Sequence, residues 1–156
     1  MLARYSRYKS QSSFLLVLAF FFLFPKPAIS ADECFVKYSK TNICDFAKKV
    51  QREMAPSLPM QISSNLVIRN IVSVGPLVQV SAILKYDEIF MNKSLKDQGV
   101  KRSLVDAKMR QMTKNAVCSN DGMSAFLGLG GKIAYNYNFN DGKEYLRLEL
   151  DFDSCR

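Results

Sequence analysis

Apolar residues are laid out in three ways along this chain. Residues 14–24 are an unbroken apolar run, FLLVLAFFFLF. Residues 41–118 hold two stretches with helical spacing on either side of β-rich segments. The last 25 or so residues alternate apolar and polar side chains.

In residues 41–55, Ile43, Phe46, Val50 and Met54 recur at steps of three and four and make one apolar stripe, which predicts a helix. Thr41 or Asn42 caps it, and Asp45 sits in the first turn, where a carboxylate meets the positive end of the helix dipole. Pro56 and Pro59 stop it. Residues 60–72 read as one strand, with Met60, Ile62, Leu66 and Ile68 sharing a parity that Ser64 interrupts. Val74-Gly75-Pro76 is a turn, and residues 77–86 are a second strand. There Val78, Val80, Ala82, Leu84 and Tyr86 face one way, and Leu77, Gln79, Ser81, Ile83 and Lys85 the other.

Residues 87–97 read as a loop or a short helical turn, and Gly99 breaks any longer run. Residues 101–117 are the second main helix. Its buried stripe runs through Leu104 or Val105, then Met109, Met112 and Ala116, while Lys101, Arg102, Lys108, Arg110 and Lys114 cover the rest. Ser119-Asn120-Asp121-Gly122 turns the chain, and residues 123–127 form one short helical turn.

The clearest signal is C-terminal. Ile133, Tyr135, Tyr137 and Phe139 alternate with polar or small residues, and so do Leu146, Leu148, Leu150 and Phe152. Asp141-Gly142 between them predicts a two-residue hairpin loop in a type I′ turn, with Asn140 facing Lys143. That register brings Cys155 near Gly128, a short excursion from Cys118. The expected fold is α+β, in the order helix-strand-strand-helix-strand-strand. Its sheet is four-stranded and antiparallel, with the helices packed on one face.

Composition now adds a compartment. The 11-residue apolar run is too short to span a bilayer as a helix, which needs about 20 residues. Arg4, Arg7 and Lys9 precede it, and Pro25, Pro27 and Ala28-Ile29-Ser30 follow. These are the parts of a cleavable secretory signal peptide over residues 1–30, leaving residues 31–156 as a single mature domain with no membrane span. Asp32-Glu33 before Cys34 does not fit a lipidation signal. The four cysteines all lie in the mature part, and an even count in a small exported domain reads as two disulfides. Of three possible pairings, Cys34–Cys44 and Cys118–Cys155 are expected.

Four of the 22 Lys/Arg and none of the 14 Asp/Glu lie in residues 1–30, so residues 31–156 carry 18 basic and 14 acidic side chains, net +4. The charge is uneven: residues 91–117 hold seven basic and two acidic residues, and residues 119–156 four basic and six acidic.

Histidine is absent, which removes the usual general base, the Ser-His-Asp and Cys-His arrangements and the commonest zinc ligand. Glu149, Asp151 and Asp153 read as the solvated face of an amphipathic strand, not a catalytic carboxylate pair. Residues 127–131 (LGLGG) lead into a strand, so no helix N-terminus awaits a phosphate. The basic stretch lacks interleaved aromatics, which argues against nucleic acid. The chain is therefore expected to be non-enzymatic, without catalytic residues, cofactor or metal. Lys101, Arg102, Lys108, Arg110 and Lys114 are its candidate partner-binding residues, for an acidic protein surface or anionic headgroups.

One resemblance sharpens this. Leu58-Pro59, the β-rich segments split by Gly75-Pro76-Leu77, and Tyr86-Asp87 come in order. Val117-Cys118-Ser119-Asn120, Gly130-Gly131, Tyr135-x-Tyr137, Asp141-Gly142 and Cys155 follow. The series resembles small bacterial periplasmic α+β proteins, most of all the pilotins of type II secretion, without their lipoprotein signal. The resemblance implies a periplasmic protein-binding factor that helps a secretin or another envelope protein assemble. Two other readings fit the residues: an exported inhibitor or immunity protein blocking an enzyme or toxin, and a secreted virulence-associated factor.

Mass spectrometry of the exported protein is expected to find a chain starting at Ala31 with no acyl group. A chain retaining Met1, or lipid on Cys34, contradicts the signal-peptide assignment.

Overall fold

The structure is a computed structural model, and it describes residues 34–35 and 41–156. The signal-peptide segment and its cleavage site lie outside those residues. The first helix, α1 (Ile43–Met54), starts where Asn42 accepts hydrogen bonds on its side-chain oxygen from the N–H groups of Cys44 and Asp45, at 3.0 and 3.2 Å. Ile43, Cys44 and Ala47 are buried, and Phe46, Val50 and Met54 pack half-buried against the same core.

The segment expected as one strand is two. β1 (Met60–Ser63) turns at Ser64-Asn65 into β2 (Leu66–Val74), at the place where Ser64 breaks the apolar parity. Two polar residues cannot continue a buried row but can make a tight turn, and the Asn65 N–H is held by the Ser63 hydroxyl. Gly75, at φ 59°, makes the next turn into β3 (Leu77–Leu84). Val78, Val80, Ala82 and Leu84 of β3 are buried, as the alternation predicts.

Three helices follow. Asp87 caps α2 (Glu88–Asp97) by accepting the Phe90 N–H at 2.7 Å, so residues 87–97 are a full helix. α3 spans Arg102–Cys118. Asn120 caps α4 (Asp121–Gly128). Then come β4 (Lys132–Asn138), β5 (Glu144–Leu150) and a closing 3₁₀ turn at Asp153–Cys155.

The sheet is five-stranded and mixed, ordered β1-β2-β3-β4-β5. This corrects the expected four-stranded antiparallel sheet in two respects. β1 adds a strand, and β3 runs parallel to β4, from Leu77 beside Lys132 to Ile83 beside Asn138. Parallel neighbours need a crossover connection, which α2, α3 and α4 supply. The hairpin register is as expected from Ile133–Leu150 to Tyr137–Leu146, then shifts at Asn138. The Gly142 N–H donates to the Phe139 carbonyl, and the Phe139 N–H to the Lys143 carbonyl. The loop is therefore one residue longer than a two-residue turn, with Gly142 at φ 88°. Glu149, Asp151 and Asp153 do not share a strand face, because β5 stops at Leu150. Glu149 pairs with Lys132 at 3.2 Å. The Asp151 carboxylate accepts from the Ser154 hydroxyl and N–H, which holds its pKa below the usual carboxylate value.

The main core lies between the sheet and α1, α3 and α4, around Phe126, Leu127, Ile133 and Val80. A second cluster, Leu84, Met91 and Phe139, sits at the far end of β3 under α2 and α3. Both expected disulfides are present: Cys34–Cys44 at a Cα–Cα distance of 5.2 Å and Cys118–Cys155 at 5.4 Å. Disulfides of this kind belong to an oxidising compartment.

Three outcomes follow from this packing. Replacing Cys118 and Cys155 together by alanine is expected to cost about 2–5 kcal/mol in denaturant unfolding. The native protein is expected to take up no alkylating reagent, since the described residues hold no free cysteine. At Gly131 a Cβ would lie 2.5 Å from the ring of Phe126, which is fully buried and stacked on Phe46 at 5.5 Å. Gly131→Ala is therefore expected to destabilise by about 1–3 kcal/mol in the same measurement.

Candidate partner-binding surface

All five candidate residues lie on α3 or at its start. The inner stripe of α3 runs Arg102, Val105, Asp106, Met109, Thr113 and Val117, each buried or half-buried. Met112 and Ala116, expected inside, are exposed, Met112 at 58%. A hydroxyl takes the place of apolar packing there: Thr113 Oγ1 shares a 2.7 Å hydrogen bond with the buried Tyr137 hydroxyl and donates to the Met109 carbonyl. Burial first, and its neighbour Tyr137 second, push the Tyr135 phenol up to about 12.

Arg102 faces inward to a network, not outward to a partner. Its guanidinium bonds Glu88 Oε1 at 2.6 Å and lies 5.4 Å above the Tyr145 ring. Tyr145 in turn donates to Asp106 Oδ1 at 2.5 Å. Burial and the Asp106 carboxylate both raise the Tyr145 pKa well above its ordinary value, and the hydrogen bond to Glu88 holds Arg102 more firmly charged. This chain of contacts joins α2, α3 and β5. The side chains of Arg102 and Glu88 are each more than a third exposed, so the network's value lies more in orientation than in raw energy.

The remaining cations divide into two groups. At 100° per residue, Lys101 and Lys108 fall on one flank of α3 and Arg110 and Lys114 on another, about 150° away. Lys101 occupies the N-cap position without capping the helix, and it and Lys108 are exposed. Arg110 reaches over the sheet edge to the Arg147 carbonyl at 3.4 Å, and Lys114 is half-buried. None of the lysines on α2 or α3 enters an ion pair among the described residues.

The sequence reading missed the apolar residues between these charges. Ile89, Phe90, Leu104 and Met112 are 77, 61, 63 and 58% exposed. A signal existed for the first two. Ile89-Phe90-Met91 are consecutive, and on a helix neighbours stand 100° apart, so three in a row cannot all face one core. Below Phe90 lies an open cavity of about 380 Å³, walled by Tyr86, Asp87, Lys85 and Asn140. Two of its charges are already engaged: Asp87 caps α2, and Lys85 Nζ bonds Gln61 Oε1 at 3.0 Å.

No protein-family model matches the chain, and no curated protein matches it. Solved structures do. A pilotin of the type 2 secretion system of Vibrio vulnificus, EpsS, superposes with a TM-score of 0.58 at 14% identity, over 73% of this chain and 92% of its own. The type II secretion system pilotin AspS of Vibrio cholerae gives 0.56 at 15% identity, over 73% and 93%. A Pseudomonas aeruginosa protein described as secreted gives 0.58 at 18% identity, over 73% and 93%. The chain shares the fold of these two pilotins and of the Pseudomonas protein.

Proposed function

We propose that this chain is an exported, non-enzymatic factor that binds a protein partner during secretion-system assembly, in the manner of a pilotin. In this reading residues 1–30 direct export and are removed, the mature domain acts in the periplasm, and a secretin or another envelope protein is the partner. The observation that carries it is the fold, shared with two pilotins over nearly their whole length. Its disulfides suit the same compartment. The partner surface is the outer side of α3, where Lys101 and Lys108 stand exposed on one flank, with Arg110 and the half-buried Lys114 on the other. Such charge attracts an acidic partner mainly through the association rate.

The test is a pull-down from envelope extract at low and high salt, read by mass spectrometry. Lys101→Glu/Lys108→Glu is expected to leave the melting temperature unchanged and to lose secretion-system components that the wild type recovers. High salt is expected to weaken capture by the wild type, because the Debye length falls from about 10 Å at 0.1 M to about 3 Å at 1 M. Arg102→Glu is expected to lower the melting temperature, since it sets a carboxylate against Glu88. Recovery of a toxin or enzyme, with no envelope component, favours the inhibitor reading. Identical partners at both salts for the wild type and the Lys101→Glu/Lys108→Glu variant remove that flank of α3 as the partner surface.

A further inference from the structure

The outer face of α2 carries Ile89, Lys93 and Lys96, spaced i, i+4 and i+7 and so aligned along one side of the helix. Ile89 is 77% exposed, more than any other exposed large apolar residue among those described. Phe90, one position on, is 61% exposed and meets another ring only on its Tyr86 side, at 5.8 Å. Val100, in the link from α2 to α3, is 37% exposed. These residues are not displaced core. The inner side of α2 is already filled by Met91 and Leu95 against Leu84 and Phe139.

The charges around them are one-sided. Of the carboxylates on α2 and α3, Glu88 is held by Arg102 and Asp106 by Tyr145, which leaves Asp97. Lys93, Lys96 and Lys101 have no acidic partner among the described residues. Two kinds of surface put bulky apolar tips on a helix. The centre of a protein interface is depleted in lysine. A membrane-facing helix instead sets apolar tips among lysines, whose long stems reach up to lipid phosphates. Ile89 and Phe90 share the outer side of α2 with Lys93 and Lys96, which is the second pattern. No helix among the described residues is long and apolar enough to cross a bilayer, so contact is in the plane of the headgroups.

We propose that α2 is a membrane-docking surface that sets Ile89 and Phe90 into the headgroup layer of an anionic bilayer, with Lys93 and Lys96 on its phosphates. This goes beyond the partner-binding reading and uses residues distinct from those assigned to it on α3. Two inserted side chains bind weakly alone, and so does a small basic patch. The combination gives reversible attachment. Each lysine near an anionic surface contributes about fivefold in partitioning, so the pair contributes about 25-fold.

The test is sedimentation of the mature protein with vesicles of pure phosphatidylcholine and with vesicles containing about one part in three phosphatidylglycerol, at low and high salt. The wild type is expected to sediment with the anionic vesicles at low salt and with neither kind at high salt. Lys93→Gln/Lys96→Gln is expected to weaken binding about 25-fold. Ile89→Ser is expected to weaken it at least several-fold with the melting temperature unchanged, and Phe90→Ser further. Because Phe90 touches Tyr86, the Ile89 variant alone decides if the Phe90 variant loses stability. Three results overturn the proposal: no binding to anionic vesicles, an Ile89→Ser variant that binds like the wild type, or lysine variants that bind undiminished. Loss of a captured protein by the α2 variants, without vesicle binding, assigns the face to a protein and also overturns it. The α3 pull-down is a separate assay, so either reading can fail alone.

Discussion

The parallel pairing of β3 with β4 is the constraint on which the rest of this molecule depends. Antiparallel neighbours can be joined by two or three residues, but parallel neighbours need the chain to return to the starting end of the sheet. Here the return takes residues 85–131 and is made of α2, α3 and α4. Every candidate surface residue lies within it. The connection is thus at once the lid of the core and the most basic part of the domain.

A lid tied to the sheet only by apolar contact would be free to roll. Three polar contacts set its angle. Thr113 bonds the hydroxyl of Tyr137 on β4, Asp106 accepts from Tyr145 on β5, and Arg102 joins Glu88 of α2 to the ring of Tyr145. These contacts explain why the outward side of α3 keeps Leu104 and Met112 in solvent. Turning the helix to bury them would break all three contacts and leave the buried Thr113 and Tyr137 hydroxyls unpaired, which costs more than two exposed side chains.

Much of this architecture was legible in the sequence because it rests on local rules. The Asn42 cap, the proline stop after α1, the alternation of β3 and β5 and the Cys118–Cys155 pairing follow from spacing and turn chemistry. What was not legible depends on partners distant in sequence. Strand direction between β3 and β4 is set by where the crossover lands, not by any residue in either strand. The inner stripe of α3 includes Thr113 and Arg102 because Tyr137 and Glu88 meet them, and an apolar count places Met112 there instead. α2 was hidden by its mixed composition, although Asp87 is a good cap. For the candidate surface, residue type supplied the candidate charges. Only burial told that Arg102 is spoken for and that Ile89 and Phe90 are not.

The order of the disulfides has a bearing on biogenesis. Cys34 pairs with Cys44 and Cys118 with Cys155, so each bond joins a cysteine to the next one along the chain. Neither loop encloses or crosses the other. A polypeptide that emerges N-terminus first, from whatever machinery makes or moves it, presents the four thiols one after another. An oxidant that links each newly arrived thiol to the one still waiting makes both native bonds directly. No wrong pairing has to be undone by thiol–disulfide exchange. The second bond joins Cys118, at the end of α3, to Cys155, beyond β5, so it clasps the crossover to the final hairpin.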